Sequence, residues 1–350
     1  MTVLSVAYPL LPVGPDSGGG AEQILSLVEQ GLVDAGHRSV VIAAKGSKTA
    51  GELIEGSVAA GEITDDVRQD AQRVHLSCVE TALERYPIDV IHFHGLDFYS
   101  YLPQQTVPML ATLHLPVSFY PAWIFNDGRV TLNCVSNAQV NSVPSPRKPP
   151  VVFNGVDVER YRDSSRHKDH LLVLTRICHE KGVHIALEVA HRLDLPLIIA
   201  GPVHPFRDHE IYFSEQVQPL LDEKRQYVGA VSLDTKIALL AEARCLLIPS
   251  LVAETSSLVA MEAISSGTPV IAFRSGALPE VVEHGECGFI VDSQDQMVDA
   301  VQHTSEISSE TCRATAKLRF DARRMANDYL ELYSRISSIT SASARGRYRV

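Results

Sequence analysis

Short apolar runs alternate with amphipathic segments along the chain, and turn residues separate them. Residues 3–7 are apolar, residues 21–35 carry apolar side chains at helical spacing, and residues 39–44 are apolar again. The alternation returns in the second half, with apolar runs at residues 171–174, 197–201, 245–248 and 288–291. Strands that alternate with helices form parallel sheets covered by helices on both faces. The pattern therefore predicts two doubly wound α/β halves.

The strongest linker signal lies near the middle of the chain. Residues 144–150 read Pro-Ser-Pro-Arg-Lys-Pro-Pro, a composition that interrupts both helices and strands. We therefore predict a first Rossmann-like domain at residues 1–155, a second at residues 156–320, and a C-terminal helix with a tail at residues 321–350.

Composition and charge exclude several classes of protein. The net charge of −11 argues against broad nucleic-acid binding, because phosphate contacts need a surplus of Lys and Arg. The six cysteines include no C-x-x-C pair, which favours reduced thiols over disulfides or a zinc site. No basic segment with a cleavage site opens the chain, and no apolar run approaches the roughly 18 residues of a spanning helix. These features predict a cytoplasmic protein.

Three histidines lie at the ends of two predicted strands. His92 and His94 alternate at the end of one strand, and His114 follows the next. Such a group could suggest a metal site, but no carboxylate or cysteine completes the ligand set. We therefore predict no metal.

The most informative stretch is residues 249–272, which predicts a strand end, a polar loop, a short helix and another buried strand. Glu254 lies in the loop and Glu262 in the helix. Eight helical positions correspond to about 12 Å, a span longer than a single sugar. Ser256 and Ser257 offer hydroxyls beside a helix N-terminus, which attracts anions. A ligand with an anionic middle and hydroxyl-bearing ends fits this pattern, as a nucleotide sugar does.

Glu262 allows two interpretations. It could be an ordinary surface glutamate, but its helix is too apolar to be fully exposed. A carboxylate in such a helix needs hydroxyl, N–H or cationic partners, because burial of a bare charge is costly.

Arg176 and Lys181 offer two cations near the same predicted strand end. They could neutralise a diphosphate leaving group, or they could form a solvated surface pair. The strand-end position and the Glu254 loop favour the first interpretation.

A run of glycines, Gly18, Gly19 and Gly20, follows the first strand. It could let the backbone approach a pyrophosphate or could simply form a flexible turn, and the run alone favours neither. Because it is not G-x-G-x-x-G, no fingerprint for nicotinamide or flavin is present.

Together these residues resemble the retaining glycosyltransferases of family 4. The specific part is the E-x7-E spacing of Glu254 and Glu262, which is followed by Gly267-Thr268-Pro269. Further parts of the resemblance are Gly18-Gly19-Gly20, His92-Phe93-His94, Asn154-Gly155-Val156-Asp157, Thr175-Arg176, Glu180-Lys181-Gly182 and the helix around residues 320–333. The resemblance implies the GT-B fold, with two facing Rossmann-like domains, an interdomain cleft and a C-terminal helix that returns to the first domain.

The resemblance also implies roles for individual residues. Glu254 is expected to contact the donor sugar, Glu262 the ribose, and Arg176 and Lys181 the diphosphate. His114 is expected beside the donor sugar. Phosphate is expected to meet backbone N–H groups or hydroxyls at Gly18, Gly19, Gly20, Ser256, Ser257, Leu258 and Val259.

Two positions depart from the family pattern. Thr255-Ser256-Ser257 stands where Pro-Phe-Gly is usual, and Thr175 stands where a glycine usually precedes the arginine. Neither departure removes a charged group.

We therefore predict a cytoplasmic, metal-independent, retaining glycosyltransferase without a cofactor. It would use a UDP- or GDP-sugar and a saccharide, lipid-linked or small-molecule acceptor, which the first domain binds. A GT-B epimerase and a non-catalytic sugar-nucleotide-binding subunit are the alternatives. Peripheral membrane contact lacks support, since the first domain has no basic amphipathic helix. Aromatic side chains could form the acceptor site or simply pack: Tyr99, Tyr101, Phe119, Tyr120 and Trp123.

Overall fold

The computed structural model describes residues 1–58, 63–161 and 170–346, with side chains up to residue 338. The chain divides into two compact units. Unit 1 comprises Met1–Gly155 and Ala322–Val350, and unit 2 comprises Val156–Asp321. The division after Gly155 coincides with the end of the first predicted domain. The last four residues of the predicted tail lie outside the described residues.

Unit 1 is built on a parallel sheet with the order β3-β2-β1-β4-β5-β6. Its strands are β1 Thr2–Val6, β2 Arg38–Ala43, β3 Glu52–Glu55, β4 Val90–Phe93, β5 Met109–Leu113 and β6 Val130–Cys134. Strand β1 pairs with both β2 and β4, with Val3 opposite Ser39 and Val90. Between β1 and β4 the strand order reverses, and ligands of doubly wound sheets bind outside the carboxyl ends at such a point.

The helices of unit 1 are α1 Gly20–Asp34, α2 Asp65–Arg85, α3 Asn137–Ser142 and α11 Ala322–Gly346. Although it ends the chain, α11 packs on α1 of unit 1. Gly31 on α1 makes this approach possible, because a Cβ there would overlap the Cβ of Ala326 on α11. Tyr329 and Tyr333 extend from α11 into unit 1, and both side chains are fully buried.

Unit 2 repeats the strand order with β12-β11-β10-β7-β8-β9. Its strands are β7 Leu171–Leu174, β8 Leu197–Ala200, β9 Arg225–Gly229, β10 Cys245–Ile248, β11 Val270–Phe273 and β12 Gly288–Val291. Its helices are α4 Val183–Leu193, α5 Arg207–Tyr212, α6 Leu233–Glu242, α7 Leu258–Ser265, α8 Leu278–Val281, α9 Gln294–Gln302 and α10 Ser309–Arg319. The reversal of strand order falls between β7 and β10, which are neighbours. The predicted class, α/β with two doubly wound parallel sheets, is confirmed.

Local chemistry explains where many helices begin. A hydroxyl that accepts a backbone N–H bond in the first turn satisfies a donor that the helix itself leaves unpaired. Side chains in this role are Thr64 before α2, Ser136 before α3, Ser232 before α6, Ser257 before α7, Ser293 before α9 and Ser308 before α10.

Three segments depart from the simple alternation of strands and helices. The apolar pattern did not predict β3, because Leu53 and Ile54 are its only apolar residues. After the linker, Val151 makes a single bridge to Cys134. Helix α5 is followed by a π turn at Phe213–Val217 and a 3-10 turn at Gln218–Leu220.

Among the described residues, none of the helices combines the length and the apolar character that crossing a membrane requires.

Candidate active site

Glu254 lies in the loop between β10 and α7, at the point in unit 2 where the strand order reverses. Two glycines shape this loop. Gly182 has a φ of 64°, and a Cβ there would collide with the carbonyl of Pro249. Gly276 has a φ of 53°, and a Cβ there would collide with the backbone of Glu254. The next residue, Ala277, donates its N–H to the Glu254 carbonyl at 2.7 Å. Backbone contacts on both sides therefore hold Glu254 in place.

The Glu254 carboxylate is held by two donors. Lys181 Nζ lies 2.6 Å from Glu254 Oε1, and both side chains are largely buried. Ser250 Oγ, at the end of β10, donates to the same oxygen at 2.7 Å. Charge-assisted bonds of this length are the strong ones. Since both donors reach Oε1, the lone pairs of Oε2 remain for a ligand hydroxyl.

Glu262 lies inside α7 and its side chain is only 5% exposed. Lys236 on α6 donates to Glu262 Oε1 at 2.6 Å. The Tyr161 hydroxyl also bonds this carboxylate, and burial, followed by the charge of Glu262, raises the pKa of Tyr161 well above its usual value. The buried charge is therefore paired, as the apolar sequence of α7 requires.

The N-terminus of α7 lies between the two glutamates in sequence. Ser257 is the N-cap, and its Oγ accepts the N–H of Ala260 at 3.4 Å. The first-turn N–H groups at Leu258 and Val259 have no acceptor within the helix. Within the described chain, the buried Ser256 Oγ has no hydrogen-bond partner. This end of α7 thus combines a helix dipole with an unsatisfied hydroxyl, both suited to an anion.

Arg176 follows β7, but it does not join the Glu254 cluster. Its guanidinium donates to Glu180 at 3.1 Å, and both side chains are nearly half exposed. Exposed pairs of this kind contribute little stability. Of the two predicted cations, only Lys181 contacts a predicted glutamate in this structure.

The glycine run of unit 1 opens α1, with Gly19 as N-cap and Gly20 as the first helical residue. A Cβ on Gly19 would overlap the carboxylate of Glu22, while Gly18 has open space around it. Glu22 is buried, and burial raises its pKa. Gly19 therefore makes room for a neighbouring carboxylate. Contact of Gly18, Gly19 and Gly20 with phosphate stays a prediction.

His114 follows β5 and begins a network of neutral side chains. Its Nε2 lies 3.1 Å from His94 Nδ1, and His94 Nε2 lies 3.1 Å from His92 Nδ1. Burial lowers the pKa of His114 to about 4 and holds the pKa values of His92 and His94 well below the usual range. Nowhere in residues 1–58, 63–161 and 170–346 do three or more His, Cys, Asp or Glu side chains form a group suited to a metal.

The aromatic residues proposed for the acceptor fall into two groups. Tyr101 and Tyr120 are core residues, 0% and 5% exposed. Phe119 and Trp123 are exposed, and the Trp123 ring packs edge to face against Tyr99. Only the second group can contact a ligand directly.

The sequence did not identify several residues that contact the predicted site residues or extend their hydrogen-bond network. They are Tyr161, Lys236 and Ser250 in unit 2, and Thr112, Tyr329 and Tyr333 in unit 1. Tyr161 and Lys236 lie outside the motifs of the family resemblance. The other four lie in or beside segments that belong to it, but the sequence assigned them no role of their own. The only available signal was the apolar character of α7, which requires a partner for Glu262 without identifying it.

Comparison with known proteins finds relatives in sequence and in fold. Residues 157–318 match the family described as glycosyl transferases group 1. A D-inositol 3-phosphate glycosyltransferase of Corynebacterium efficiens is 36% identical over 99 residues, 28% of this chain and 23% of that protein. A glycogen synthase of Mycobacterium tuberculosis is 25% identical over 260 residues, 64% of this chain and 60% of that protein. The matches thus span less than two thirds of either relative.

The similarity of fold extends over nearly the whole chain. The structure of a sucrose-phosphate synthase from Thermosynechococcus elongatus superimposes with a TM-score of 0.81 at 17% identity, covering 97% of this chain and 100% of that one. At such low identity the likeness shows the fold alone. Residues 157–318 are therefore similar to the glycosyl transferases group 1, within a two-domain α/β chain that has the GT-B fold.

Proposed function

We propose that this protein is a retaining glycosyltransferase that needs no metal ion. It transfers a sugar from a UDP- or GDP-sugar to a saccharide, lipid-linked or small-molecule acceptor. Unit 2 binds the donor and unit 1 binds the acceptor. The observation that carries the proposal is that α7 and its preceding loop present two lysine-held glutamates, Glu254 and Glu262, within the region similar to the glycosyl transferases group 1.

The chemistry requires stabilisation of a leaving group. When the bond between the anomeric carbon and the diphosphate oxygen breaks, negative charge accumulates on the diphosphate. Lys181 and the N-terminus of α7 supply fixed positive charge for it. Arg176 is paired only with the exposed Glu180, so a diphosphate can recruit it at little cost. These groups perform the role that a divalent cation would otherwise perform.

Glu254 serves the sugar in this proposal. Ser250 and Lys181 occupy Oε1, so Oε2 accepts a sugar hydroxyl near the reacting carbon. A carboxylate there also stabilises the positive charge that develops on the sugar ring in the transition state.

Glu262 serves the ribose. A carboxylate accepts two hydroxyl hydrogens at once, which matches a ribose diol. Lys236 and Tyr161 bond this carboxylate and orient it before the donor arrives.

The test begins with thermal shifts of the purified protein against UDP-, GDP-, ADP- and dTDP-sugars. We expect one nucleotide class to stabilise the protein and to be hydrolysed slowly without an acceptor. EDTA should leave this turnover unchanged. Proton NMR of the product should show the anomeric configuration of the donor. If no nucleotide sugar stabilises the protein, the proposed donor is wrong, and an inverted product would exclude retention.

The same assay separates the alternatives. An epimerase would convert the nucleotide sugar into an isomer with the nucleotide still attached. A non-catalytic subunit would bind the donor without any turnover. The ion pair of Lys181 with Glu254 favours the transferase, because a subunit that only binds has no need to preserve a group for the sugar.

A further inference from the structure

Two aromatic side chains meet above the carboxyl edge of the unit 1 sheet. Tyr99 lies in the loop that follows β4, and Trp123 lies in the loop that follows the neighbouring strand β5. Trp123 is 50% exposed, although tryptophan is on average a highly buried residue. Ligands of doubly wound sheets bind outside the carboxyl ends of the strands. We call Tyr99 and Trp123 the aromatic platform.

The two rings of the aromatic platform hold each other in one orientation. Their centroids lie 6.0 Å apart, and their planes make an angle of 82°. In such an edge-to-face pair, one ring points its edge at the face of the other. The contact therefore covers at most one face of the Trp123 ring. Since Trp123 is half exposed, an uncovered face remains accessible to a ligand.

The loop after β4 is anchored on both sides of Tyr99. Phe98 is fully buried, and its ring packs edge to face against Tyr99 with centroids 5.8 Å apart. The buried carboxylate of Asp97 accepts hydrogen bonds from Gln72 Nε2 at 2.7 Å and from the Tyr101 hydroxyl at 3.0 Å. These contacts hold the backbone that carries Tyr99.

The loop after β5 is anchored in the same core. Ile124 and Phe125, which follow Trp123 directly, are buried and belong to the main hydrophobic cluster of unit 1. Tyr120 is also buried, and its ring packs 6.2 Å from the ring of Phe98. Both rings of the platform are therefore positioned before a ligand arrives. Preorganised side chains lose little freedom on binding.

The charged side chains around the platform are paired or buried. Residues 94–129, all of which the structure describes, contain three of them, Asp97, Asp127 and Arg129. Asp97 is 3% exposed, and Arg129 pairs with Asp127 at 2.7 Å. Arg68 of α2, whose charge acts on Tyr99, pairs with Asp65 at 2.9 Å. The two loops thus present neither an unpaired ion for a charged ligand nor the basic cluster that attracts an anionic membrane.

A saccharide ring matches this combination of groups. Its C–H groups form an apolar face, which is attracted to the negative face of an aromatic ring and is withdrawn from water on contact. Its hydroxyls need polar partners at the rim. Burial, followed by the charge of Asp97, raises the pKa of Tyr99, so this phenol stays protonated at neutral pH. It can therefore both donate to and accept from a sugar hydroxyl.

We propose that the aromatic platform binds the ring face of a neutral saccharide, and that this saccharide is the acceptor. The assignment rests on the proposed function, in which unit 1 binds the acceptor. It selects a saccharide over a charged small molecule, and it requires contact with the sugar ring rather than with a lipid chain or a membrane.

The first test uses fluorescence, because Trp123 is the only tryptophan of the chain. The full-length protein is titrated with methyl glycosides and disaccharides of glucose, mannose and galactose. At least one of them should produce a saturable blue shift, since a stacked ring removes water from the indole. Glycerol, which has hydroxyls but no ring face, should produce no shift.

Two further probes separate a sugar ring from a lipid. Vesicles of phosphatidylcholine and phosphatidylglycerol should leave the emission of Trp123 unchanged, and octyl glucoside should shift it no more than methyl glucoside does. A saturable shift with vesicles or octyl glucoside alone would overturn the assignment. So would the lack of a shift with every sugar.

The second test compares Trp123→Leu with Trp123→Phe. Leucine keeps an apolar side chain but removes the flat ring, whereas phenylalanine keeps a ring. Trp123→Leu should raise the KM for the acceptor about tenfold, and Trp123→Phe should stay closer to the parent. Slow hydrolysis of the donor and calorimetric binding of the nucleotide should be unchanged in both. The control Val74→Ala shortens an exposed apolar side chain on α2 of the same unit and should leave every value unchanged.

The two tests distinguish failure of the platform from failure of the proposed function. If sugars shift the emission of Trp123 but the parent transfers no sugar from any donor, the proposed function fails and the saccharide site stands. If the parent transfers sugar and Trp123→Leu keeps the parental KM for the acceptor, the platform is not the acceptor site. Equal increases in KM for Trp123→Leu and Trp123→Phe would show that the flat ring is not what binds.

Discussion

The two units share one strand order but carry opposite chemistry at the ends of their strands. In unit 2, Lys181 and Glu254 follow the neighbouring strands β7 and β10 and form a largely buried ion pair. In unit 1, His94 and His114 follow the neighbouring strands β4 and β5 and join a neutral network. The same backbone topology therefore supports either paired charges or uncharged hydrogen-bonding groups.

The difference follows from what each set of side chains must satisfy. A buried charge persists only with a partner, and both Glu254 and Glu262 are paired with a lysine. A neutral imidazole needs one donor and one acceptor. The hydroxyls of Tyr333 and Thr112 contact His92, and the neighbouring imidazoles contact His94. Unit 2 therefore places paired charges at the ends of its strands, whereas unit 1 places uncharged groups there.

The largest expected effect concerns the charged residues of unit 2. Glu254→Gln keeps the shape but removes the charge, so kcat should fall about 100- to 1,000-fold. Binding of the nucleotide, measured by calorimetry, should survive. The control Glu283→Gln neutralises an exposed partner of Arg319 and should leave kcat unchanged. A kcat of Glu254→Gln equal to that of the parent would contradict the role of Glu254.

The next prediction concerns His75, a buried histidine in unit 1. Burial lowers the pKa of His75 to about 4 from 6.5 in the unfolded chain. Between these pH values the unfolded state binds a proton that the folded state does not, so stability falls as the pH falls. The loss for one such group approaches about 3 kcal/mol by the lower end of the window.

Urea unfolding across that pH window measures this loss. His75→Leu should lose less stability on acidification than the parent. His303→Gln removes an exposed histidine whose pKa is raised by the Asp299 carbonyl and carboxylate, so it should not reduce the acid loss. An identical pH dependence of the parent and His75→Leu would show that His75 is charged in the folded protein.

A third prediction concerns the backbone that supports Glu254. Gly276→Ala places a side chain at a φ of 53° and against the Glu254 backbone, and we expect a loss of about 1–3 kcal/mol together with reduced kcat. Gly285 also has a positive φ, 87°, but a Cβ at this position would lie in open space. Gly285→Ala is therefore the control. It should lose stability without losing activity. Equal kcat values for the two variants would show that the backbone contact between Gly276 and Glu254 does not affect turnover.

The smallest expected effect concerns the second lysine pair. Lys236→Met leaves Glu262 without its cation, so donor binding should weaken about tenfold, or about 1.4 kcal/mol, with little change in kcat. The control Lys224→Met removes an exposed lysine that pairs with Asp194. Calorimetric titration with the nucleotide compares the two. If Lys224→Met weakens binding as much as Lys236→Met, the effect reflects net charge rather than the Glu262 pair.

Much of the fold follows from the sequence because strand and helix patterns are local. Apolar runs predicted most of the strands in the described chain. They did not predict β3, which has polar residues at both ends, Glu52 and Glu55, and only two apolar residues between them. Parallel order could be inferred because helical segments separate successive strands, as in the crossovers that join parallel strands.

The sequence by itself determined the α/β class and the position of Glu254 and Glu262 around the start of one helix. Only the tertiary structure decided their partners. Lys181 lies 73 residues from Glu254, and Tyr333 lies 241 residues from His92. Such pairs depend on which side chains the packing of distant elements brings within hydrogen-bonding distance. The hydrophobic pattern along the chain does not specify which distant side chains come into contact.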